Sequence, residues 1–485
     1  MVDKIIIQNV DEVYVKITCS DGIAYELNTH FEFKVPGAEF TPQYRARLWN
    51  GKIYLFSLRT RQIYRGLVPY IIKFCEDHDY EFEYDNEIYD EEFSIEEAKE
   101  FIKTLNIPLE VRDYQLDAFI HAIRSRRVLL LSPTASGKSL IIYLLLRKIN
   151  ANRTLIIVPT ISLVSQLASD FADYGYDSDN MVHTIFAGKD KQSDKKVYIS
   201  TWQSLYKLPS SYFQQFDAVI GDEAHLYKSK EISALMSKMT NARYRIGTTG
   251  TLDGTKTHKL VLEGLFGPVR KVTTTKDLMD QKVVADFNIK CLLLKHNQSI
   301  CQAFKNFTYQ QEIEYLVLNE ARNNFIANLA LSLEGNTLIL YQYVEKHGMI
   351  LNDIINSKVS PDRKCFFIYG KTDVEIREET RKIVETETNA IIIASYGTFS
   401  TGTNIKNLHT IIFASPSKSR IRNLQSIGRG LRKSDTKDSA VLFDIADDVS
   451  WKKRQNYTLK HFEERLKIYI EEKFKFKIFK IELKG

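Results

Sequence analysis

From Arg112 onward the sequence alternates short apolar, β-branched runs with segments whose apolar residues recur at helical spacing. The first series of runs is Val128–Leu131, Thr154–Val158, Val197–Ser200 and Ala218–Ile220. Parallel strands joined by crossover helices produce this texture. It lapses over residues 255–334 and resumes with Thr337–Tyr341, Cys365–Tyr369, Ala390–Ala394, Thr410–Ala414 and Ala440–Asp444. The expectation is an α/β chain with two parallel-sheet domains in tandem, at 107–270 and 335–447, joined by a connecting segment at 271–334.

The flanks read differently. Residues 1–106 form a small α+β domain on this reading, with alternating strands at Val13–Ile17 and Lys52–Phe56, a helical stretch at Pro69–His78, and an acidic helix and linker after it. Residues 448–485 form a short basic extension. Within it Lys473-Phe-Lys-Phe-Lys-Ile478 has period two, which sets lysines on one face of a strand and apolar groups on the other.

The net charge of +6 is too small to identify a partner, but its distribution is informative. Between Phe40 and Cys75 there are seven basic residues (Arg45, Arg47, Lys52, Arg59, Arg61, Arg65, Lys73) and no acidic one, whereas Glu76–Glu100 is strongly acidic. Such segregation suits a polyanion. Tyr44, Trp49, Tyr54, Phe56 and Tyr64 lie among these basic residues. With Arg45, Arg47, Arg59 and Arg61 they could grip phosphates and stack on bases, or they could be the core and solvated face of a small domain. The five cysteines are scattered without a C-x-x-C pair, which argues against a zinc site, an iron–sulfur site or a disulfide framework. The apolar run near the N-terminus is too short for a signal sequence, and no stretch approaches a membrane span. A soluble protein of a reducing cytoplasm is expected.

Ser132-Pro-Thr-Ala-Ser-Gly-Lys-Ser139 follows the strand Val128–Leu131 and precedes an apolar helix. This is the logic of a phosphate-binding loop. In the loop Pro133–Ser139 at a helix start, the backbone N–H groups of Thr134, Ala135, Ser136, Gly137 and their successors cradle phosphates, Lys138 neutralises β/γ charge, and the Ser139 hydroxyl takes Mg²⁺. Ser132 stands where the general pattern has its first glycine. Downstream, Asp222-Glu-Ala-His225 follows the strand Ala218–Ile220. Asp222 at a strand end can hold Mg²⁺, Glu223 can orient or deprotonate the attacking water, and His225 is a relay. Two halves of one ATP site thus occur in the required order.

With these motifs the chain resembles superfamily 2 helicases and translocases over about 112–447, which implies RecA-like motor domains driven by ATP and Mg²⁺. The resemblance implies that Arg112 and Gln115 bind the nucleotide base. It also implies that Pro159, Thr160, Gln166, Thr201 and Trp202 touch the nucleic-acid backbone, and that Ser395 contacts a phosphate. Thr249-Gly-Thr251 stands in for the family's Ser/Thr-Ala-Thr. Ser400-Thr-Gly402-Thr-Asn404 resembles the motif that places Gly402 and Asn404 near the nucleotide, with Asn404 in place of a frequent Asp. Gln425-Ser-Ile-Gly-Arg429-Gly-Leu-Arg432 matches Q-x-x-G-R-x-x-R, and two arginines three apart on a helix share a face from which to meet the γ-phosphoryl group. Phe40–Arg45, Trp49–Gly51 and Gly66–Cys75 extend the likeness to the UvsW-type recombination helicases of T4-like phages. That implies a phage motor for branched, single-stranded or R-loop DNA in recombination and repair, monomeric without DNA. An RNA helicase, a restriction-type translocase subunit and a non-enzymatic binder stay open as alternatives. Lys138, Asp222, Glu223, Arg429 and Arg432 argue against the last.

Overall fold

The computed structural model describes residues 4–35, 37–84, 92–186, 188–228, 230–252, 255–400, 405, 407–415, 419, 423–424, 426–428 and 439–483. It divides into two compact units, residues 1–132 with 137–272, and residues 133–136 with 273–485.

The first unit begins with β1 (Ile5–Asn9), β2 (Tyr14–Thr18), β3 (Glu32–Lys34), β4 (Lys52–Tyr54), β5 (Gln62–Tyr64) and β6 (Phe82–Tyr84). A mixed sheet has the order β5-β2-β1-β6, while β3 and β4 pair separately. Alternate residues Ile5, Ile7, Val15 and Ile17 are buried and pack with Ile23 and Leu27 of the helix Asp21–His30 and Ile71 and Phe74 of the helix Val68–Asp77. This is the one-sided pattern that alternation encodes.

The expected boundary at residue 106 is not a structural break. Glu12 pairs with both Arg65 (3.1 Å) and Arg127, and both arginines are buried. Tyr70 donates to Glu263 Oε2 at 2.7 Å. A Cβ on Gly66 would sit 2.0 Å from the Glu263 carbonyl oxygen, so only glycine permits this approach. The N-terminal region and the first parallel sheet are therefore one packed body. Glu12→Ala would strip two buried guanidinium groups of their carboxylate and is expected to cost about 3–5 kcal/mol. Thermal or urea unfolding checks this, with Glu12→Asp as the charge-retaining control. The acidic stretch also differs from the expected solvated helix and linker. Residues 85–91 lie outside the described residues, but the helix Ile95–Thr104, capped by Ser94 and Glu97, packs Ala98 into the motor core beside Phe93, with Phe101 and Ile102 against it.

The motor sheet of this unit comprises β7 (Arg127–Leu131), β8 (Thr154–Val158), β9 (Val182–Ile185), β10 (Val197–Thr201), β11 (Ala218–Gly221), β12 (Tyr244–Thr249) and β13 (Val269–Lys271). All are parallel, in the order β13-β7-β12-β11-β8-β10-β9. Parallel pairing brings every strand's C-terminal end to one edge, where ligands of such sheets bind.

The second unit holds β14 (Asp286–Lys295), β15 (Thr337–Tyr341), β16 (Cys365–Ile368), β17 (Ile391–Ser395), β18 (Thr410–Phe413), β19 (Ser439–Asp448) and β20 (Lys475–Glu482), also all parallel, in the order β16-β17-β15-β18-β19-β14-β20. Two boundaries change here. The expected connecting segment supplies β14, and the expected C-terminal extension supplies β20, so both belong to the second sheet. The extension is tied in by charge as well. Arg465, on the helix Tyr457–Glu471, pairs with the buried Asp444 of β19 at 2.8 Å, and the Tyr469 hydroxyl donates to the same carboxylate at 2.8 Å. The expected lysine face is only partly formed. Along β20 Phe476 and Ile481 are half-buried, while Ile478 and Phe479 are exposed with the lysines, because an edge strand is not fully covered on either face.

Candidate functional site

The loop between β7 and the helix Lys138–Ile149 reverses direction through two residues of positive φ, Ala135 (66°) and Gly137 (79°). Such residues turn successive N–H groups toward one concavity, which suits an anion. The positive φ favours glycine at 137, and a Cβ there would also meet Gln115 Nε2 at 2.3 Å, so that the Gln115 side chain would have to shift. Ser132, in the place of the first glycine, is fully buried and its N–H donates to the Thr249 carbonyl at 2.8 Å, which ties the loop to the end of β12. Ser136 Oγ donates to the Pro133 carbonyl at 2.7 Å and tightens the turn.

Asp222 and Glu223 follow β11, and the Asp222 N–H donates to the Ile157 carbonyl at 2.9 Å. Glu223 has φ of 49°, the left-handed region, at a cost of roughly 1–2 kcal/mol for a non-glycine residue. The turn sets its carboxylate 3.3 Å from Lys138 Nζ and 3.3 Å from His225 Nδ1. Burial works against the charge of Glu223, but Lys138 and His225 outweigh it and hold the carboxyl at about 2. The neighbouring Asp222 is pushed the other way, first by burial and then by the charge of Glu223, with Lys138 and a 2.7 Å hydrogen bond from the Thr248 hydroxyl opposing. Thr249 Oγ1 donates to the Thr251 carbonyl at 3.0 Å, so it has a lone pair for His225 Nδ1, also at 3.0 Å. That network assigns the proton to Nδ1.

Lys138, Asp222 and Glu223 are thus brought together, with Thr248 and Thr249 of β12 joined to them. The sequence reading passed over Thr248 as a partner of Asp222. That pairing has no strong local signal, because β12 reads Tyr244-Arg-Ile-Gly-Thr-Thr249 and only the sheet brings its end beside Asp222. The reading also passed over Tyr174, whose hydroxyl lies 2.9 Å from Ser139 Oγ. No local signal marks that contact, since the two residues are 35 positions apart.

Gln115 is buried, and its carbonyl accepts the Arg112 N–H at 3.0 Å, so the group it presents beside Gly137 is its NH₂. Pro159 and Thr160 follow β8, where Thr160 Oγ1 caps the helix Ile161–Asp173, and the exposed Gln166 donates to Asp170 at 2.7 Å. Thr201 ends β10 with its hydroxyl 3.0 Å from Ser204 Oγ, and Trp202 meets Tyr206 edge-on at 5.8 Å. Ser395 ends β17 of the second unit, 2.7 Å from Thr398 Oγ1. Gly402, Asn404, Gln425, Arg429 and Arg432 lie outside the described residues.

The acid-free N-terminal stretch separates into packed or paired groups and exposed ones. Phe56 is in the core, Tyr64 stacks on Tyr14 at 5.3 Å, Trp49 Nε1 donates to the Lys52 carbonyl at 2.8 Å, and Arg65 is buried. Arg61 pairs with Asp21 and Lys52 with Glu32. Arg45, Arg47 and Arg59 are exposed.

Residues 4–85 match the family model described as the N-terminal part of DNA helicase UvsW, residues 108–254 the res subunit of type III restriction enzymes, and residues 321–434 the helicase conserved C-terminal domain. The ATP-dependent DNA helicase uvsW of Enterobacteria phage T4 is 35% identical over 96% of this chain and 97% of its own. The DNA 3'-5' translocase XPB2 of Sulfurisphaera tokodaii is 26% identical over 73% of this chain and 86% of its own. The crystal structure of T4 UvsW matches with a TM-score of 0.53 at 32% identity, covering 99% of this chain and 100% of that one.

Proposed function

Because the chain belongs to the UvsW family of superfamily 2 helicases, and is therefore an ATP-dependent DNA helicase, we propose that it remodels branched DNA, by moving junctions, regressing forks and unwinding R-loops. The observation that carries this reading is the exposed set Arg45, Arg47 and Arg59 on an N-terminal region packed into the motor body. A basic surface built rigidly onto the motor can hold one arm of a junction while the motor domains track another. The relative from phage T4 supports action in the cytoplasm of a host cell, for a phage's recombination and repair. No helix among the described residues is long and apolar enough to cross a membrane.

The nucleotide chemistry is assigned to the β7–β11–β12 edge. The N–H groups of residues 135–139 bind the phosphates. Lys138 exchanges Glu223 for the β/γ-phosphates, which removes the main attraction holding the Glu223 proton affinity down. Glu223 then takes the proton of the attacking water, and His225 and Thr249 carry the change to β12. The donor set fits Mg²⁺, which is ordinarily held by one or two protein oxygens together with phosphates, and Ser139 and Asp222 are the two assigned. Bound there, Mg²⁺ would neutralise charge on the transferring phosphoryl group. Gln115 and Arg112 are assigned to the base, with Gly402 and Asn404 beside the nucleotide. Pro159, Thr160, Gln166, Thr201, Trp202 and Ser395 are assigned to the DNA backbone.

Comparing ATPase stimulation by single strands, linear duplex, R-loops, four-way junctions and duplex RNA tests the substrate. Stimulation led by junctions and R-loops supports the reading, and equal stimulation by linear DNA or RNA sinks it. Neutralising Arg45, Arg47, Arg59 and Arg61 together should weaken junction binding and flatten its salt dependence by about 0.9 in log–log slope per lost phosphate contact. Arg61, already paired with Asp21, is expected to contribute least. An unchanged slope in a folded variant would remove the N-terminal region from the DNA contact.

A further inference from the structure

The helix Ile161–Asp173 ends at Tyr174, whose ring lies 5.3 Å from that of Tyr143 on the phosphate-loop helix. From there its hydroxyl reaches back to Ser139 Oγ, at 2.9 Å. The Tyr143 hydroxyl points elsewhere and accepts from Arg147 at 2.6 Å. Asp222 Oδ1 is likewise engaged, by the Thr248 hydroxyl.

A serine hydroxyl has one proton and two lone pairs, and a cation on the oxygen needs a lone pair. A freely rotating hydroxyl points its proton at the cation for part of the time. An acceptor on the far side fixes the rotor and strengthens the oxygen as a donor to the metal, and this is how outer partners tune ligands. We propose that Tyr174 is a positioning residue for the metal that accompanies the nucleotide. Its phenol oxygen accepts the Ser139 O–H and leaves a Ser139 lone pair directed at Mg²⁺. The proposal rests on the assignment of Ser139 as a metal ligand.

The test uses the full chain and the fluorescent nucleotide mant-ADP, with binding measured in EDTA and across a MgCl₂ titration. Tyr174→Phe keeps the ring against Tyr143 and removes only the hydroxyl. The expected result is a Mg²⁺ midpoint raised about 10-fold, with nucleotide affinity in EDTA unchanged. Tyr143→Phe, which keeps the neighbouring ring and removes only the hydroxyl bonded to Arg147, should leave the midpoint in place. An unmoved midpoint in Tyr174→Phe overturns the proposal. So does an equal loss of affinity with and without Mg²⁺, which would make Tyr174 a packing residue. Ser139→Ala separates the two levels. If it abolishes the Mg²⁺ dependence while Tyr174→Phe does nothing, only the role of Tyr174 falls. If Ser139→Ala itself leaves the dependence intact, the assignment of Ser139 falls and the proposal falls with it.

Discussion

Replacing Glu223 by Gln is expected to lower ATP turnover by about two to four orders of magnitude while nucleotide and DNA binding persist. The amide matches the carboxylate in shape and can still meet Lys138 and His225, but it cannot accept the proton of an attacking water. Lys138 lies 3.3 Å from Glu223 and helps hold its carboxyl at about 2, too acidic to act as a base. Catalysis on this reading needs phosphate to draw Lys138 away, so that the Glu223 pKa rises when the substrate arrives. Glu223→Gln also discards that ion pair, which frees Lys138 in advance, so nucleotide affinity should hold or improve. Steady-state ATPase assays beside equilibrium mant-ADP binding separate the two effects. Near-normal turnover in the variant would mean that another group takes the proton.

If Arg429 and Arg432 meet the γ-phosphoryl group, as the helicase resemblance implies, Arg429→Ala and Arg432→Ala are expected to cut turnover about a thousandfold or more while changing nucleotide affinity by much less, because a guanidinium charge there matters most in the transition state. The Q-x-x-G-R-x-x-R spacing carries the expectation that both arginines act together, so each single variant should be impaired. Lysine should restore little, since it offers a point charge where arginine offers a planar fork of donors. The measurement is kcat against nucleotide Kd for each variant. Parallel losses in both would assign the pair to ground-state binding or to structure.

The expectation that Lys138 and the Asp222-Glu223 pair belong to one site could be read locally, because each motif is a contiguous run at the end of an apolar strand, and the fold sets Lys138 3.3 Å from Glu223. The strand β14 could not, and of β20 the period-two lysine pattern marked only a strand, not its place in the second sheet. Asp286–Lys295 pairs with residues more than 150 positions away, and nothing in its local composition names that partner. Parallel pairing has no hairpin turn to announce it. Arg65 read as one more cation of a basic stretch, and only its burial against Glu12 shows that it joins the N-terminal region to the motor.

The parallel-sheet texture and the candidate nucleotide motifs were determined by the sequence alone, since strand texture and strand-end motifs are local properties. Tertiary structure decided which charges the residues of those motifs face. Topology gathers the C-terminal ends of β7, β11 and β12 at one edge whatever their separation in the chain. There Lys138 lowers the Glu223 pKa, Thr248 takes hold of Asp222, and Tyr174 reaches Ser139. A side chain's protonation state and the direction of its lone pairs depend on neighbours within a few ångströms, and those neighbours exist only once the sheet has formed.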